Sequence, residues 1–339
     1  MVISQQKIAD RVGVSRTAVS HVLNGRGHMV SAEVRENILE VAAALGYRRN
    51  ALVRALRSNR SNVVGIIVPE GGVSFFNDII RAAEDKAKTH GMQCFLCQSH
   101  SHHEALETQV SALLEYRVDG LLISPANPVA DVELFKTLQA QQVPFVLIDS
   151  PAYGLEAPFV GNNNIAAGRL GAEHLVALGH KRIACARGYG GSWVAEQRVI
   201  GFRQVLKKAG IREDAKLMVG NGFEFENGIQ AVQQLFDSRA QFTAVVAHSD
   251  LVALGVIREL ARRGLRVPED ISVVGCANLA ASAMGTPPLT TIDQKAHEMG
   301  STAMSLLVQQ IESKMEKPST ILIEPELIVR GTTAKRAKP

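Results

Sequence analysis

Apolar residues within the first 45 positions recur at helical spacing, in three short runs separated by turn residues. Ser4 stands where an N-cap is needed before Ile8, Ala9 and Val12, and Gly13 breaks that run where a tight turn would fall. Ser15 precedes a second run of Val19, Val22 and Leu23. A third starts at Ser31, carries Glu33 in its first turn, and passes Val34, Ile38, Val41 and Leu45 to Gly46 as a stop. The pattern then changes. Over residues 47–60 (YRRNALVRALRSNR), Asn50 could cap a short helix with Ala51, Leu52, Ala55 and Leu56 on one side and arginines on the other. An isolated helix shorter than ~12 residues is marginal in water, so this stretch is expected to be a hinge that orders only against a partner.

From Val63 onward the texture alternates between strand and helix. Strand-sized apolar cores fall at 63–68 (VVGIIV), 93–97 (QCFLC), 119–124 (DGLLIS) and 144–149 (PFVLID), and a second series at 182–186 (RIACA), 244–248 (AVVAH) and 271–275 (ISVVG). Strands and helices alternating at this rhythm imply right-handed crossovers and mostly parallel sheets. The two groups of strands predict two open α/β lobes in place of one barrel, with ligands bound beyond the carboxyl ends of the strands. The expected division is a helical unit over 1–46, a hinge over 47–61, two α/β lobes over 62–331 and a basic tail over 332–339.

Charge sharpens this division. The chain of 339 residues has a formal net charge of +4, but residues 1–60 hold ten Lys or Arg against four acids, and the remainder is slightly acidic. A local cationic excess suits a polyanion, because each neutralised phosphate releases condensed counterions; a merely solvated basic face would give the same count. The start, MVISQQKIADRV, lacks the cationic and apolar regions of a signal peptide. No apolar run reaches membrane-spanning length, and four cysteines do not make a disulfide scaffold in a chain this long. These features point to the cytoplasm and to no contact with a membrane.

The segment Gln6 to Asn24 places helix, glycine turn and helix at the spacing of a helix-turn-helix, in which the second helix enters the major groove. On that helix Arg16, Thr17 and His21 point away from the Val19, Val22 and Leu23 face. Arg can fork to guanine, Thr can touch a base edge or a thymine methyl, and His can donate to a purine acceptor. Ser15, Ser20 and Asn24 suit phosphates. Periodicity alone would equally fit an ordinary three-helix bundle.

The residue identities go further. The run VSRTAVSHVLNG, the hinge pattern Asn50-Ala51-Leu52 then Arg54-Ala55-Leu56, and the stretches at 118–123 (VDGLLI), 166–184 (AAGRLGAEHLVALGHKRIA), 264–275 (GLRVPEDISVVG) and 286–292 (TPPLTTI) closely resemble the LacI/GalR family of transcription regulators, over essentially the whole chain. The resemblance implies a helix-turn-helix headpiece on a two-lobed periplasmic-binding-protein-like core. It also implies a repressor acting as a homodimer on a palindromic double-stranded operator. Hinge helices of two subunits would pair in the minor groove, with Leu56 as the apolar wedge between Arg54 and Arg57. One departure is Arg49, where the family often has proline, so entry into the hinge is less pre-organised.

The same resemblance puts a small-molecule effector between the lobes, at positions matching Phe75, Phe76, Asn163, Trp193, Arg198, Phe223, Asp250 and Ala277. Aromatic rings would stack on the ligand and Arg198 would fork to hydroxyls or an anion. Ala277 and Asn163 stand where relatives often have aspartate. Two acceptor carboxylates are therefore missing and Arg198 has less competition, which favours a phosphorylated or otherwise anionic sugar derivative over a neutral sugar. The residues leave the direction of the effector's action open, inducer or corepressor.

Other motifs carry less. Cys94 and Cys97, followed by His100, His102 and His103, superficially suggest a metal or redox site, but positions i and i+3 of a strand face opposite ways and do not converge. Gly188, Gly190 and Gly191 lack the third glycine of a dinucleotide fingerprint, Trp193 occupying its place; there is no Walker loop and no GxSxG elbow. No acid/base or nucleophile set can be assembled, so neither enzyme activity, cofactor nor metal is expected. A solute-binding module without DNA function would need a signal peptide and no headpiece, the reverse of this chain. The end, TTAKRAKP, carries no leucine heptads, which favours a dimer over a four-chain assembly.

Overall fold

The computed structural model describes residues 3–25, 27–47, 60–69, 73–99, 102–313 and 318–336. The expected hinge contacts Arg54, Leu56 and Arg57 lie outside the described residues, as does Arg49. The chain divides into two compact units, Met1–Ser61 and Asn62–Pro339.

In the first unit, α1 (Gln5–Val12), α2 (Arg16–Leu23) and α3 (Ala32–Ala44) form a small bundle. Each begins on the serine that the sequence offers. Ser4 Oγ accepts from Lys7 N at 3.3 Å, Ser15 Oγ from Ala18 N at 3.1 Å and Ser31 Oγ from Val34 N at 3.4 Å, satisfying backbone donors that helix ends leave unpaired. Gly13 ends α1 at φ +78°, a left-handed conformation that glycine adopts without steric cost. Ile8, Val19 and Ile38 are fully buried at the centre, with Ala9, Val22, Leu23 and Ala42 around them. Val12, Val34, Val41 and Leu45 are only partly buried, because so small a bundle cannot cover every apolar position.

The second unit contains two six-stranded sheets. The first is built from β1 (Val63–Val68), β2 (Gln93–Gln98), β3 (Gly120–Ile123), β4 (Phe145–Ile148), β5 (Phe159–Asn162) and β11 (Thr320–Ile323), in the order β11-β5-β4-β3-β1-β2, all parallel. The second is built from β6 (Ile183–Ala186), β7 (Met218–Val219), β8 (Ala244–Ala247), β9 (Ser272–Cys276), β10 (Thr290–Asp293) and β12 (Glu326–Ile328), in the order β12-β10-β9-β8-β6-β7, with only β12 antiparallel. The strands β1, β3, β4, β6, β8 and β9 are buried on both faces and coincide with the apolar runs, as parallel sheets covered by helices require. Of the remaining six, five were not legible as strands; the sixth, β2, has an apolar run that proves to be an edge, with Phe95 and Leu96 45% and 47% exposed. Cys94 packs on one side of it and Cys97 on the other.

The lobes are interleaved in sequence. The first lobe holds β1–β5 with α4 (Val73–Thr89), α5 (His103–Glu115) and α6 (Val132–Ala140), and is completed by α12 (Ala296–Ile311) and β11 from far down the chain. The second holds β6–β10 and β12 with α7 (Asn164–Ala177), α8 (Trp193–Lys208), α9 (Phe225–Asp237), α10 (Asp250–Arg262) and α11 (Ala280–Met284). The chain therefore crosses between lobes three times, at 162–164, 293–296 and 323–326. Residues 332–336, expected as part of a tail, instead pair with the second lobe: Val273 N donates to Thr332 O at 2.8 Å and Arg336 N to Leu178 O at 2.9 Å.

Candidate functional site

Two surfaces follow from this architecture, one in each unit. In the first, α2 turns Arg16 and Thr17 to solvent while Val19, Val22 and Leu23 hold its other face in the core. Ser20 and His21 are half-buried, and His21 Nδ1 is buried without a hydrogen-bond partner, so Nε2 is the ring nitrogen left for an outside contact. Ser15 uses one lone pair of its oxygen on the cap and keeps its hydroxyl proton to donate. Asn24 is engaged as well, its Nδ2 donating to Ser20 O at 2.7 Å and Ser20 Oγ at 3.1 Å. Neither α1 nor α2 carries an acid in its first turn, so the positive ends of both helix dipoles stay uncompensated.

In the second unit the expected effector residues all lie beyond the carboxyl ends of strands, but in different circumstances. Phe76 is a core residue, 6% exposed, with Phe75 half-buried beside it at 5.4 Å between ring centroids. Asn163 sits on the first crossover and is structural there: its Oδ1 caps α7 through Ala166 N at 3.1 Å and its Nδ2 donates to Glu324 Oε1 on the third crossover at 2.8 Å. Trp193 opens α8 in the second lobe yet packs against the first, edge-on to Phe159 at 5.8 Å. Phe223 remains half-exposed next to Tyr189, their centroids 5.7 Å apart. Ala277 follows β9 with its N–H donating to Ile292 O at 2.9 Å.

Asp250 and Arg198 are the most deeply committed. The Asp250 carboxylate is fully buried and accepts from Leu279 N at 2.8 Å, from Ser282 Oγ at 2.5 Å and from Thr291 Oγ1, all within its own lobe. Burial nevertheless pushes its carboxyl above the usual range. Arg198, 4% exposed, donates through Nε to Asn164 Oδ1 at 2.9 Å and through Nη1 to His248 O. Its links continue: Asn164 Nδ2 donates to Asn162 O at 3.2 Å, and Asn162 Nδ2 to Gln294 O at 2.9 Å, on the second crossover. A buried polar chain thus runs from the end of β8 to the junction of the lobes. Two atoms on it, Asn162 Oδ1 and Gln294 Nε2, are buried without partners.

Several residues of this region escaped sequence reasoning. Asp149 follows β4 at φ +68°, and burial pushes its carboxyl up to about 6 against the opposing pull of Arg198. Arg198 therefore does face a carboxylate, contrary to the expectation of little competition; the signal was an aspartate at the carboxyl end of a strand. His248, after β8, is fully enclosed. Gly188 N donates to its Nδ1 at 3.2 Å, which places the ring proton on Nε2, 3.3 Å from Cys185 Sγ. Burial, with Arg198 and Arg187 nearby, holds it well below the ordinary histidine range, so it is neutral.

A helix-turn-helix unit joined to two interleaved α/β lobes defines a class: DNA-binding regulators built on a periplasmic-binding-protein-like core. Comparison with known proteins agrees in both parts. The description "Bacterial regulatory proteins, lacI family" matches residues 6–50, and "Periplasmic binding protein-like domain" matches 172–333. The HTH-type transcriptional repressor PurR of Mannheimia succiniciproducens is 33% identical over 331 residues, 97% of this chain and 98% of that one. The HTH-type transcriptional repressor CytR of Escherichia coli is 32% identical over 336 residues, 99% of this chain and 97% of its own. Among solved structures, the lac repressor dimer bound to operator and the anti-inducer ONPF superposes with a TM-score of 0.88 at 30% identity, covering 98% of this chain and 100% of that one. The CelR–cellobiose complex gives 0.73 at 30% identity, over 97% and 99%. The chain belongs to the LacI family of transcriptional regulators, and its relatives PurR and CytR are transcriptional repressors, not enzymes.

Proposed function

We propose that this protein is a cytoplasmic repressor that binds a dyad-symmetric operator as a homodimer, with affinity set by a small-molecule effector between the lobes of its second unit. The observation that carries the reading is the outward display of Arg16 and Thr17 on a helix whose opposite face is locked into a capped core, the arrangement a major-groove reader needs. Arg16, Thr17 and His21 would read bases; Ser15, Ser20 and Asn24 would meet phosphates; Leu56 with Arg54 and Arg57 would enter the minor groove. A dimer doubles the contacts of one headpiece on a palindrome, and the solved lac repressor dimer on its operator supports that assembly.

The effector reading rests on the cleft residues. Partly exposed Phe75, Trp193 and Phe223 would stack on a sugar, or on a phosphorylated or otherwise anionic derivative of one; the CelR–cellobiose complex supports the sugar part of that reading. Ligand contacts to both lobes would alter their closure at the three crossovers and so bias the headpieces. Fluorescence anisotropy of the full chain on dyad-symmetric genomic duplexes tests the whole. Binding should exceed that of scrambled duplex, fall steeply with added salt, and shift when the right metabolite is present. Equal affinity for both duplexes under all conditions would overturn it.

A further inference from the structure

The second sheet has a switch point beside an arginine whose buried Nε has no hydrogen-bond partner among the described residues. β6 and β8 are neighbours, yet the chain leaves β6 for β7 at one edge and leaves β8 for β9 in the other direction. Where connections diverge in this way, a crevice opens beyond the carboxyl ends of the two strands. Arg187 follows β6 directly. Its backbone is pinned on both sides, N–H donating to Val219 O at 2.8 Å and C=O accepting from Gly222 N at 3.2 Å. Two residues after Cys185, it lies on the same side of the strand, and its charge is felt by both Cys185 and His248. Its Nε is nevertheless buried without a hydrogen-bond partner.

The buried acids at the ends of β4 and β8 are engaged elsewhere. Asp250 is held by Leu279, Ser282 and Thr291 within the lobe. Asp149 interacts with Arg198, which is itself tied to Asn164 and His248. His248 brings no counter-charge. Among the described residues Arg187 forms no ion pair. Beside it, the Phe223 ring lies so close to Gly188 that an added Cβ there would come within 2.1 Å of it, giving the crevice an aromatic wall.

We infer that Arg187 is the residue that takes an oxyanion of the effector, a phosphate or carboxylate, and that the effector is therefore an anionic small molecule. A guanidinium offers Nε–H and Nη–H as a fork that matches two oxygens of one oxyanion, whereas a neutral hydroxyl satisfies only one prong. Arg198 then serves as a positioning residue for the wall on which the ligand rests. This inference depends on the cleft being an effector site, and it moves the anion contact from Arg198 to a residue outside the expected set.

Inorganic phosphate is the first probe, because it requires no knowledge of the effector. Thermal unfolding of the full chain at constant ionic strength should show saturable stabilisation by phosphate in the millimolar range. Arg187→Gln should abolish it, and Arg187→Lys should retain part of it. The unliganded melting points of both variants report whether they fold. Calorimetry with glucose, glucose 6-phosphate and gluconate then separates phosphate from carboxylate: an anion should bind at least tenfold more tightly than glucose, and Arg187→Gln should remove the difference without weakening glucose. Absent or non-saturable phosphate stabilisation, or stabilisation undiminished in Arg187→Gln, would overturn the assignment. Glucose binding as tightly as either anion would overturn it too, while leaving the effector site standing.

Discussion

Replacing Arg198 by methionine separates a structural from a ligand-binding role, because the two make opposite demands on the empty protein. Methionine keeps most of the buried stem but removes both donors. Two hydrogen bonds from a charged group are lost, Nε to Asn164 Oδ1 and Nη1 to His248 O, each contributing ~1.5–3 kcal/mol. Both acceptors are then stranded in a site where Arg198 is only 4% exposed. Relief of the desolvation penalty on the guanidinium offsets part of this, so the net loss should be ~3 kcal/mol. For a unit of this size that lowers the melting temperature by about 6–12 °C, at ~2–4 °C per kcal/mol. Differential scanning calorimetry of the full chain at neutral pH, without effector, reads the transition of the second unit. Arg198→Lys, which keeps the charge but cannot span both acceptors, should fall between. If Arg198→Met melts within ~1 °C of the parent, the partners are incidental and the residue is free to hold ligand.

Four further outcomes are expected. Asp149 is protonated more readily in the native state than in the unfolded chain, so stability should fall as pH rises between about 4 and 6; Asp149→Asn should flatten that slope in urea titrations and stabilise the protein at pH 7 by up to about 3 kcal/mol, and an unchanged slope would refute the assignment. A Cβ at Gly201 would lie 2.0 Å from Ile165 O and 2.9 Å from Arg169 N, so Gly201→Ala should force α7 and α8 apart and cost ~1–3 kcal/mol or more. Gly190→Ala, whose Cβ would meet nothing nearer than 3.9 Å, should stay within ~0.5 kcal/mol by the same urea assay. Arg16→Ala should relax base preference at one operator position at a cost of ~1–3 kcal/mol in anisotropy titrations of single-base variants, whereas uniform loss on all of them would make Arg16 a phosphate contact.

Helix starts, turns and central strands were legible without any tertiary information. Ser4, Ser15 and Ser31 cap the helices they precede, and Gly13 turns the chain where the apolar run breaks, because capping and periodicity are settled within one helical turn. The apolar runs at β1, β3, β4, β6, β8 and β9 likewise became strands buried on both faces. The helix-turn-helix was legible for the same reason: its geometry and its outward residues are local.

What the tertiary structure alone decided is partnership. β5, β7, β10, β11 and β12 are two to four residues long and draw their stability from neighbouring strands, not from a pattern of their own. Nothing local indicates that α12 and β11 return to complete the first lobe. The candidate cleft shows the same limit. Arg198 reads as a free fork until its acceptors are found 34 and 50 residues away, whereas Arg187 reads as ordinary until its Nε is found buried and unpaired. A side chain's type is written in the sequence, but its availability to a ligand depends on whether long-range contacts have already consumed its donors.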